Sequence, residues 1–511
     1  MLDCGRMKYR GKSVVGSSLL NTAAGLLSLA AGFGASVIVA RLLGVEGSGL
    51  VAFALYFMWL STAVSDGGMS QTVLRFIAGD VAIDGTGGGL FTTLMRRFVV
   101  TTTLMAVGIL GYALFLYEDG NGSSALIWGA TAILFLSYAY STMALNAAHG
   151  LGQMREAAEK TLIGCVIQPL AVFGGAVLAG PAGAILGHAL RHFPQALAVR
   201  GYLRADDGRR ARFTPELWKY ARHNWIEYSL TVALGAWAEL AILGLSFSFM
   251  EVGYYSIGLN MNGLVLQLAI FLLAILIPYL GSLHDSDDHA SLVEGYQRSL
   301  RWLGIVLAPV CFGGAAIVPV LVPSVFGREF EPAVNISEIM ILFSFPAALS
   351  FVAGRTMLAR RLSGDHMKIS IVRGLVSIVL MLALVPIYGA LGTAWIKAVL
   401  SVATFAFFMW YCRKHLGIPF AALDLVKLIA AGLLCAAAAR LCIIWLPNIA
   451  GMGLGILAGA AVYVAALFLL SLIRPDERAH VGDWLKGRAS VRIEPRSDDD
   501  GNSNDASHII G

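Results

Sequence analysis

The sequence predicts an all-α protein that crosses a membrane many times, and three observations agree on this fold class. Fourteen stretches of roughly 17 to 25 apolar residues each have the length that crosses a hydrocarbon core of about 30 Å as a helix. The chain is 57% hydrophobic and 14% charged, against about 25% charged residues in a typical soluble domain. The Lys and Arg residues between the stretches are concentrated in every second loop. A soluble globular protein is therefore excluded.

The predicted transmembrane helices follow one another almost from end to end. They cover residues 13–40, 48–65, 98–117, 124–148, 161–179, 181–202, 223–246, 257–283, 302–325, 336–359, 367–387, 389–412, 424–446 and 452–473.

The charge of the connecting loops predicts the orientation of the chain. On one side the loops between predicted spans contain only Arg41 and Arg328, whereas the connection 203–222 on the other side is strongly basic. Short loops rich in Lys and Arg stay in the cytoplasm during insertion, so both termini and every even-numbered loop are predicted to be cytoplasmic. This asymmetry also explains the net charge of +5, and no nucleic-acid partner is expected.

A weak internal repeat relates the first six spans to the next six. EGSGLVAFAL after span 1 aligns with MEVGYYSIGL after span 7, which matches Gly49 with Gly253. GPAGAILGHAL aligns with GALGTAWIKAV, which matches Gly180 with Gly389. Parallel repeats of this kind build transporters with a site between the two halves. Chance similarity is the alternative, because Gly and Ala are common in membrane helices.

Several segments of the chain resemble polysaccharide flippases of the Wzx type, which belong to the multidrug/oligosaccharidyl-lipid/polysaccharide exporter superfamily. Their order and spacing carry the resemblance more than any single motif does. The segments are IVARLLGVEGSGLVAFAL at 38–55, VSDGGMSQTVLRFIA at 64–78, AELAILGLSFSFMEVGYYSIG at 238–258, VFGREFEPA at 325–333 and VPIYGALGTAWIKAV at 385–399.

The resemblance implies two pseudo-symmetric six-helix bundles around a central cavity, with helices 13 and 14 packed outside. It also implies transport of a polyprenyl-diphosphate-linked oligosaccharide from the inner to the outer leaflet of a bacterial cytoplasmic membrane. The expected parts of the chain are an N-terminus 1–12, a first bundle 13–202, a basic linker 203–222, a second bundle 223–412, two further helices in 424–473 and a polar tail 474–511.

Basic residues inside the spans are the candidate ligands for a diphosphate, because a charge at the bilayer centre is costly and usually faces a cavity or a partner. Arg191 lies deep in span 6, next to His188 and His192, and the repeat places Lys397 of span 12 opposite His188. We expect these cations to face each other across the cavity, with Arg191 binding phosphate in a bidentate manner. Alternatively, Arg191 pairs with a buried acid and Lys397 extends to the outer interface.

Arg355 and Arg373 lie nearer to span ends, where they either line the cytoplasmic mouth and attract the anionic substrate or extend to the interface. Arg75, just after span 2, either pairs with Asp66 or receives the phosphate at the entrance. Each of these three arginines is included among the candidate substrate ligands.

Two carboxyl groups are candidates for binding a coupling proton or sodium ion. Glu239 lies inside span 7, where desolvation disfavours the charged form unless a cation is near, and Asp66 ends span 2. Pairing of Glu239 with a basic residue is the alternative. Amides within the spans, including Asn262, either contact sugar hydroxyls or join helices.

The sequence therefore predicts a flippase that works by alternating access, and not an enzyme. No cofactor or metal is expected; the partners expected are the lipid-linked oligosaccharide, membrane lipids, and the polymerase and glycosyltransferases of the same biosynthesis. A drug or cation antiporter of the same superfamily is the second interpretation, although its cavity would be rich in carboxylates. A membrane-bound glycan polymerase or acyltransferase is the third, but the chain lacks a large outward loop or a paired acid and base.

Overall fold

The computed structural model describes residues 11–84, 89–205, 211, 213–233, 236–282, 289–360 and 362–472. The predicted tail 474–511 and nearly all of the predicted N-terminus 1–12 lie outside the described residues, as does part of the linker 203–222.

The described chain is helical throughout and contains no strand. This follows from the apolar sequence, because in lipid a backbone must satisfy its own hydrogen bonds and a helix does so within one segment. The α-helices are α1 Gly11–Ser65, α2 Met69–Asp84, α3 Leu90–Glu118, α4 Gly122–Gly150, α5 Met154–Ala196, α6 Val199–Ala205, α7 Pro215–Ala233, α8 Ala236–Ser246, α9 Phe249–Ser282, α10 His289–Ala308, α11 Gly314–Val325, α12 Ala333–Leu342, α13 Ser344–Ala359, α14 Ser363–Leu416, α15 Ala422–Trp445 and α16 Ile449–Leu469.

Ten helical segments of the described chain are long and apolar enough to cross a membrane. Three of them are broken at a glycine with positive φ: Gly44 in α1, Gly180 in α5 and Gly389 in α14. Each break separates two of the predicted spans, and α7 with α8 occupies the region of predicted span 7. The architecture is therefore consistent with fourteen spans.

Each bundle has its own core, and Ala40 and Val45 of α1 join the core of the second bundle. In the first bundle, α1 to α5 pack around buried residues such as Phe98, Phe135 and Ile185. In the second, α9 to α14 pack around Phe326, Phe345 and other apolar side chains, and α15 and α16 pack on the outside of this bundle against α10 and α11. The arrangement of two bundles and two extra helices agrees with the fold class predicted from the sequence.

The backbone conformation of the matched glycines supports the internal repeat. Gly180 and Gly389 have nearly the same backbone conformation, with φ 58° and ψ −139° in one and φ 58° and ψ −145° in the other. This conformation is open to Gly and strained for other residues. Equivalent positions of the two bundles thus break their helices in the same way.

The bundles meet at a pseudo-symmetric crossing of α1 and α9. A Cβ atom on Gly49 would lie 1.9 Å from the carbonyl oxygen of Phe249, and one on Gly253 would lie 2.2 Å from that of Val45. Phe249 is the repeat equivalent of Val45, just as Gly253 is of Gly49, so the two contacts are related by the same two-fold operation. Only glycine permits this close approach of the backbones.

Further contacts close the predicted outer side. Arg41 of the first bundle donates hydrogen bonds to the carbonyl oxygens of Ser324 and Val325 at the end of α11, with a distance of 2.9 Å from Nε to the oxygen of Val325. A basic side chain at this position satisfies carbonyl groups that have no partner within the helix. The outer ends of the two bundles are therefore joined by both backbone packing and hydrogen bonds.

Candidate functional site

A cavity of about 560 Å³ lies within the second bundle. The segments that line it are α9, α13, both halves of α14 and, through Glu239, α8. Arg355, Arg373 and Lys397, all predicted as candidate ligands from the sequence, line this cavity together with Glu239.

One face of the first half of α14 supplies a line of polar side chains to the cavity. His366, Ser370, Arg373 and Ser377 all line it. Their spacing of i, i+4, i+7 and i+11 places them on one face of an α-helix. The first half of α14 is thus amphipathic within the membrane.

The second half of α14 adds Lys397, Ser401 and Thr404, again spaced i, i+4 and i+7. Asn262 reaches the cavity from α9, but its amide nitrogen donates to Oγ of Ser344 at 2.6 Å and to the carbonyl oxygen of Met340 at 3.3 Å. These bonds use the donors of Asn262 to join helices, and the hydroxyl of Ser401 likewise donates to the carbonyl oxygen of Lys397 at 2.8 Å.

Arg355 and Arg373 enter the cavity from adjacent antiparallel helices. Arg355 lies four residues before the end of α13 and Arg373 ten residues after the start of α14, or about 6 Å and about 15 Å from the same end of the helix pair. Within the described part of the chain, neither forms an ion pair with a carboxylate. Both interact electrostatically with the His366 ring, as does Glu227, and Arg373 also interacts with Glu239.

Lys397 differs from these arginines because it has an internal partner. Its Nζ atom lies 2.9 Å from Oε2 of Glu239, whose side chain is 7% exposed. The hydroxyl group of Tyr255 donates a second hydrogen bond to the same oxygen, and Tyr56 of the first bundle interacts with this carboxylate electrostatically. Lys397 and Glu239 therefore form a hydrogen-bonded ion pair inside the second bundle.

Arg191 occupies a different environment in the first bundle. It donates to Oε1 of Gln168 at 2.7 Å and to Oγ of Ser28, while Nδ1 of His188 lies 3.1 Å from Nε2 of the same glutamine. These bonds join α1 to both halves of α5. The partners are neutral, so Arg191 retains its full charge, but it does not line the cavity of the second bundle.

The histidines next to Arg191 are held by a hydrogen bond in one case and by ring packing in the other. His188 is buried, and the ring of His192 packs edge to face against Tyr138 at 5.0 Å between centroids. The sequence predicts that Arg191 and Lys397 face each other across one cavity. The structure instead places them in two separate polar groups, because Gln168 and Ser28 hold one and Glu239 holds the other.

Asp66 directly follows α1 and Arg75 lies within α2, both on the predicted cytoplasmic side. The guanidinium group of Arg75 lies 4.8 Å from the ring centroid of Tyr220, a cation–π distance. Asp66 is 6% exposed and accepts hydrogen bonds from the hydroxyl and backbone amide of Ser70. Burial raises the pKa of Asp66 from 3.8 to about 6, although the bonds from Ser70 act in the opposite direction.

The sequence analysis missed the hydroxyl and imidazole groups that complete the cavity. His366, Ser370, Ser377, Ser401 and Thr404 are too ordinary to be noticed one at a time. The signal that could have found them is their helical spacing from Arg373 and Lys397. In the described residues no group of three or more His, Cys, Asp and Glu side chains could hold a metal.

Comparison with known proteins places this geometry in a structural class. Residues 216–335 match a family described as polysaccharide biosynthesis protein. The structure is similar to that of the lipid II flippase MurJ in an inward closed conformation, with a TM-score of 0.69, 13% identity, and coverage of 89% of this chain and 100% of that one. No curated protein sequence gives a significant match.

Two multidrug transporters of the MATE family are also similar. An inward-facing member of the MOP superfamily has a TM-score of 0.57 and 12% identity, with 78% of this chain and 98% of that one covered. The transporter DinF-BH, in complex with R6G, has a TM-score of 0.52 and 16% identity, with 81% and 98% covered. The chain is therefore a multi-pass membrane protein whose fold is similar to that of these flippase and transporter structures.

Proposed function

We propose that this protein is a flippase that moves polyprenyl-diphosphate-linked oligosaccharide units from the cytoplasmic to the outer leaflet of a bacterial cytoplasmic membrane, for the synthesis of a surface polysaccharide. The observation that carries the proposal is a cavity inside the bilayer region with two arginines that form no close ion pair with a carboxylate in the described chain. A phosphate-bearing head group needs such a site, because its charge cannot cross hydrocarbon unaided.

The composition of the cavity favours an anion over a cation. Arg355, Arg373 and Lys397 provide three positive charges and Glu239 one negative charge. A drug or cation antiporter, the second candidate, would gain affinity from the opposite balance. The hydroxyl groups along α14 are suited to sugar hydroxyls, and the polyprenyl chain can stay in the lipid throughout.

Alternating access provides the mechanism. The outer side is closed by the α1 and α9 crossing and by Arg41, so the cavity loads from the predicted cytoplasmic side, where Arg355 lies near the helix ends. Movement of the bundles about their interface then exposes the head group outside. We propose Asp66 as the proton-coupling residue, because its raised pKa lies near physiological pH, whereas Lys397 already neutralises Glu239.

The experiment is complementation of bacterial strains that each lack one defined glycan flippase. We expect this chain to restore surface glycan in at least one strain, and the R355Q/R373Q variant to insert in the membrane without restoring it. Resistance to cationic drugs without any complementation would contradict the flippase function and favour the antiporter. The strain that is rescued identifies the class of glycan, and its polymerase and glycosyltransferases are then the proposed partners.

A further inference from the structure

The second bundle contains a polar cavity that needs no residue of the first bundle to complete it. Every residue that lines the cavity belongs to the segment from Glu239 to Phe408. None comes from the first bundle, although the Glu239 carboxylate lies close enough to Tyr56 for an electrostatic interaction. A ligand in this cavity can therefore be bound by one bundle alone.

Of the three cationic side chains in the cavity, the two arginines are the ones available to that ligand. Lys397 is bonded to Glu239, and Glu239 is 5% exposed, so a phosphate that took Lys397 away would leave a buried carboxylate without its cation. Such a loss is strongly unfavourable in a protein interior. Neither Arg355 nor Arg373 forms a close ion pair in the described residues, although Arg373 interacts electrostatically with Glu239 and His366 with Glu227. The side chains that line the cavity carry three positive charges against the one negative charge of Glu239.

The positions of the two arginines suit a ligand with two adjacent anionic groups. They differ by about 9 Å in depth along the two helices, and long side chains that both interact with His366 can converge over that distance. A guanidinium group binds phosphate oxygens in a bidentate geometry. A diphosphate diester carries one negative charge on each phosphate, so it matches two arginines in both number and charge.

We infer that the diphosphate of the substrate is held by the second bundle alone, with one phosphate on Arg355 and the other on Arg373. Lys397 and Glu239 form a neutral part of the cavity wall, at the end away from the predicted cytoplasmic mouth. The inference rests on the proposed function for the lipid-linked identity of the ligand. It assigns to Arg191 no direct contact with the diphosphate, in contrast to the arrangement expected from the repeat.

The test compares a farnesyl-diphosphate-linked monosaccharide with the matching monophosphate-linked compound, both diesters. Binding is measured by calorimetry on the purified full-length protein in detergent. We expect wild type to bind the diphosphate compound at least about tenfold more tightly. R355Q and R373Q should each reduce this ratio to near one, because each removes the partner of one phosphate. Both proteins must elute as folded monodisperse species.

Two control variants decide between this site and a site shared by the bundles. E338Q/R440Q removes an ion pair outside the cavity without changing the net charge, and R191Q removes a buried cation of the first bundle; we expect both to keep the preference for diphosphate. Loss of the preference in either variant, or its persistence in R355Q and R373Q, would overturn the inference. Equal binding of inorganic diphosphate would also overturn it, because the site would then serve a free anion.

These outcomes are separate from those of the complementation experiment. Failure to rescue any flippase-deficient strain, together with a diphosphate preference that depends on Arg355 and Arg373, would remove the proposed function and leave the binding site in place. Rescue by wild type together with normal rescue by R355Q/R373Q would keep the function and remove the site.

Discussion

Glu239 determines how many positive charges the cavity presents. Its carboxylate is bonded to Lys397 and Tyr255, so one of three cations is neutralised within the protein. The sequence predicts that a carboxyl in a span is desolvated and needs a nearby positive charge. It does not predict which residue supplies that charge, because α8 and α14 are far apart in sequence. The sequence thus identified Glu239 and Lys397 as candidates without revealing that they are paired.

Replacement of Glu239 should increase the affinity of the cavity for anions. In E239Q the amide oxygen still accepts a hydrogen bond from Tyr255, while the positive charge of Lys397 is no longer neutralised. We expect binding of the diphosphate-linked monosaccharide to tighten about tenfold, or by about 1.4 kcal/mol, with slower release and a lower rate of transport. E338Q is the matched control, since Glu338 pairs with Arg440 at the same 2.9 Å but does not line the cavity. Unchanged or weaker binding in E239Q would refute the neutralising role.

Asp66 should make stability depend on pH in the direction opposite to that of an ordinary paired carboxylate. Its folded pKa of about 6 lies above the ordinary 3.8, so between these values the folded state binds more protons than the unfolded state. Stability from this group is present at low pH and is lost as pH rises through about 6. The loss corresponds to about 3 kcal/mol.

The variant D66N cannot titrate and should remove this dependence. We expect it to unfold at a higher temperature than wild type near pH 7 and at a similar temperature near pH 4, in thermal unfolding followed in detergent. The difference between the two proteins isolates Asp66 from all other carboxyl groups. A gain in stability that is the same at both pH values would show that titration is not its cause.

At the scale of helices, local sequence predicts where spans end but not which faces meet. The breaks at Gly180 and Gly389 fall where the sequence analysis separated its spans. The cavity faces were missed because hydropathy averages over a whole turn, so single Ser or Thr residues among Leu and Val do not register. The pairing of Arg191 with Gln168 and Ser28 depends on packing between distant segments, which periodicity does not encode.

The close crossing of α1 and α9 predicts a strong effect of any side chain at Gly49. In G49V the new Cβ would lie within 1.9 Å of the Phe249 carbonyl, which is backbone and cannot move aside like a flexible side chain. We expect the outer ends to be forced apart, with a loss of about 1–3 kcal/mol in stability and little surface glycan. G263V, in the partner helix α9 and with open space around the Cβ position, should retain both. Similar behaviour of the two variants would refute the packing argument.

At the scale of the whole molecule, a substrate site within one bundle means that the bundles can move relative to each other without changing the contacts of the substrate. The bundles must change their relative position for transport, but the contacts of a diphosphate with Arg355 and Arg373 need not change during that movement. Under the proposed function, the predicted outer side, which Arg41 and the glycine crossing close in this structure, is then a barrier to release and not part of the binding site. Blocking the opening of that side should stop transport while leaving affinity intact.

Cross-linking across the outer side tests this separation. In a background with all six cysteines replaced, R41C and S324C place two thiols on opposite bundles at the contact that joins α1 to the end of α11. A short cleavable bismaleimide should abolish transport of the diphosphate-linked monosaccharide in proteoliposomes, and cleavage of the linker should restore it. Binding of the same compound should change less than about twofold on cross-linking, because no residue of the cavity is involved. Each single-cysteine variant treated with the reagent serves as the control for labelling alone. Continued transport in the cross-linked protein would mean that the outer ends need not separate, and a parallel loss of binding would mean that the first bundle contributes to the site.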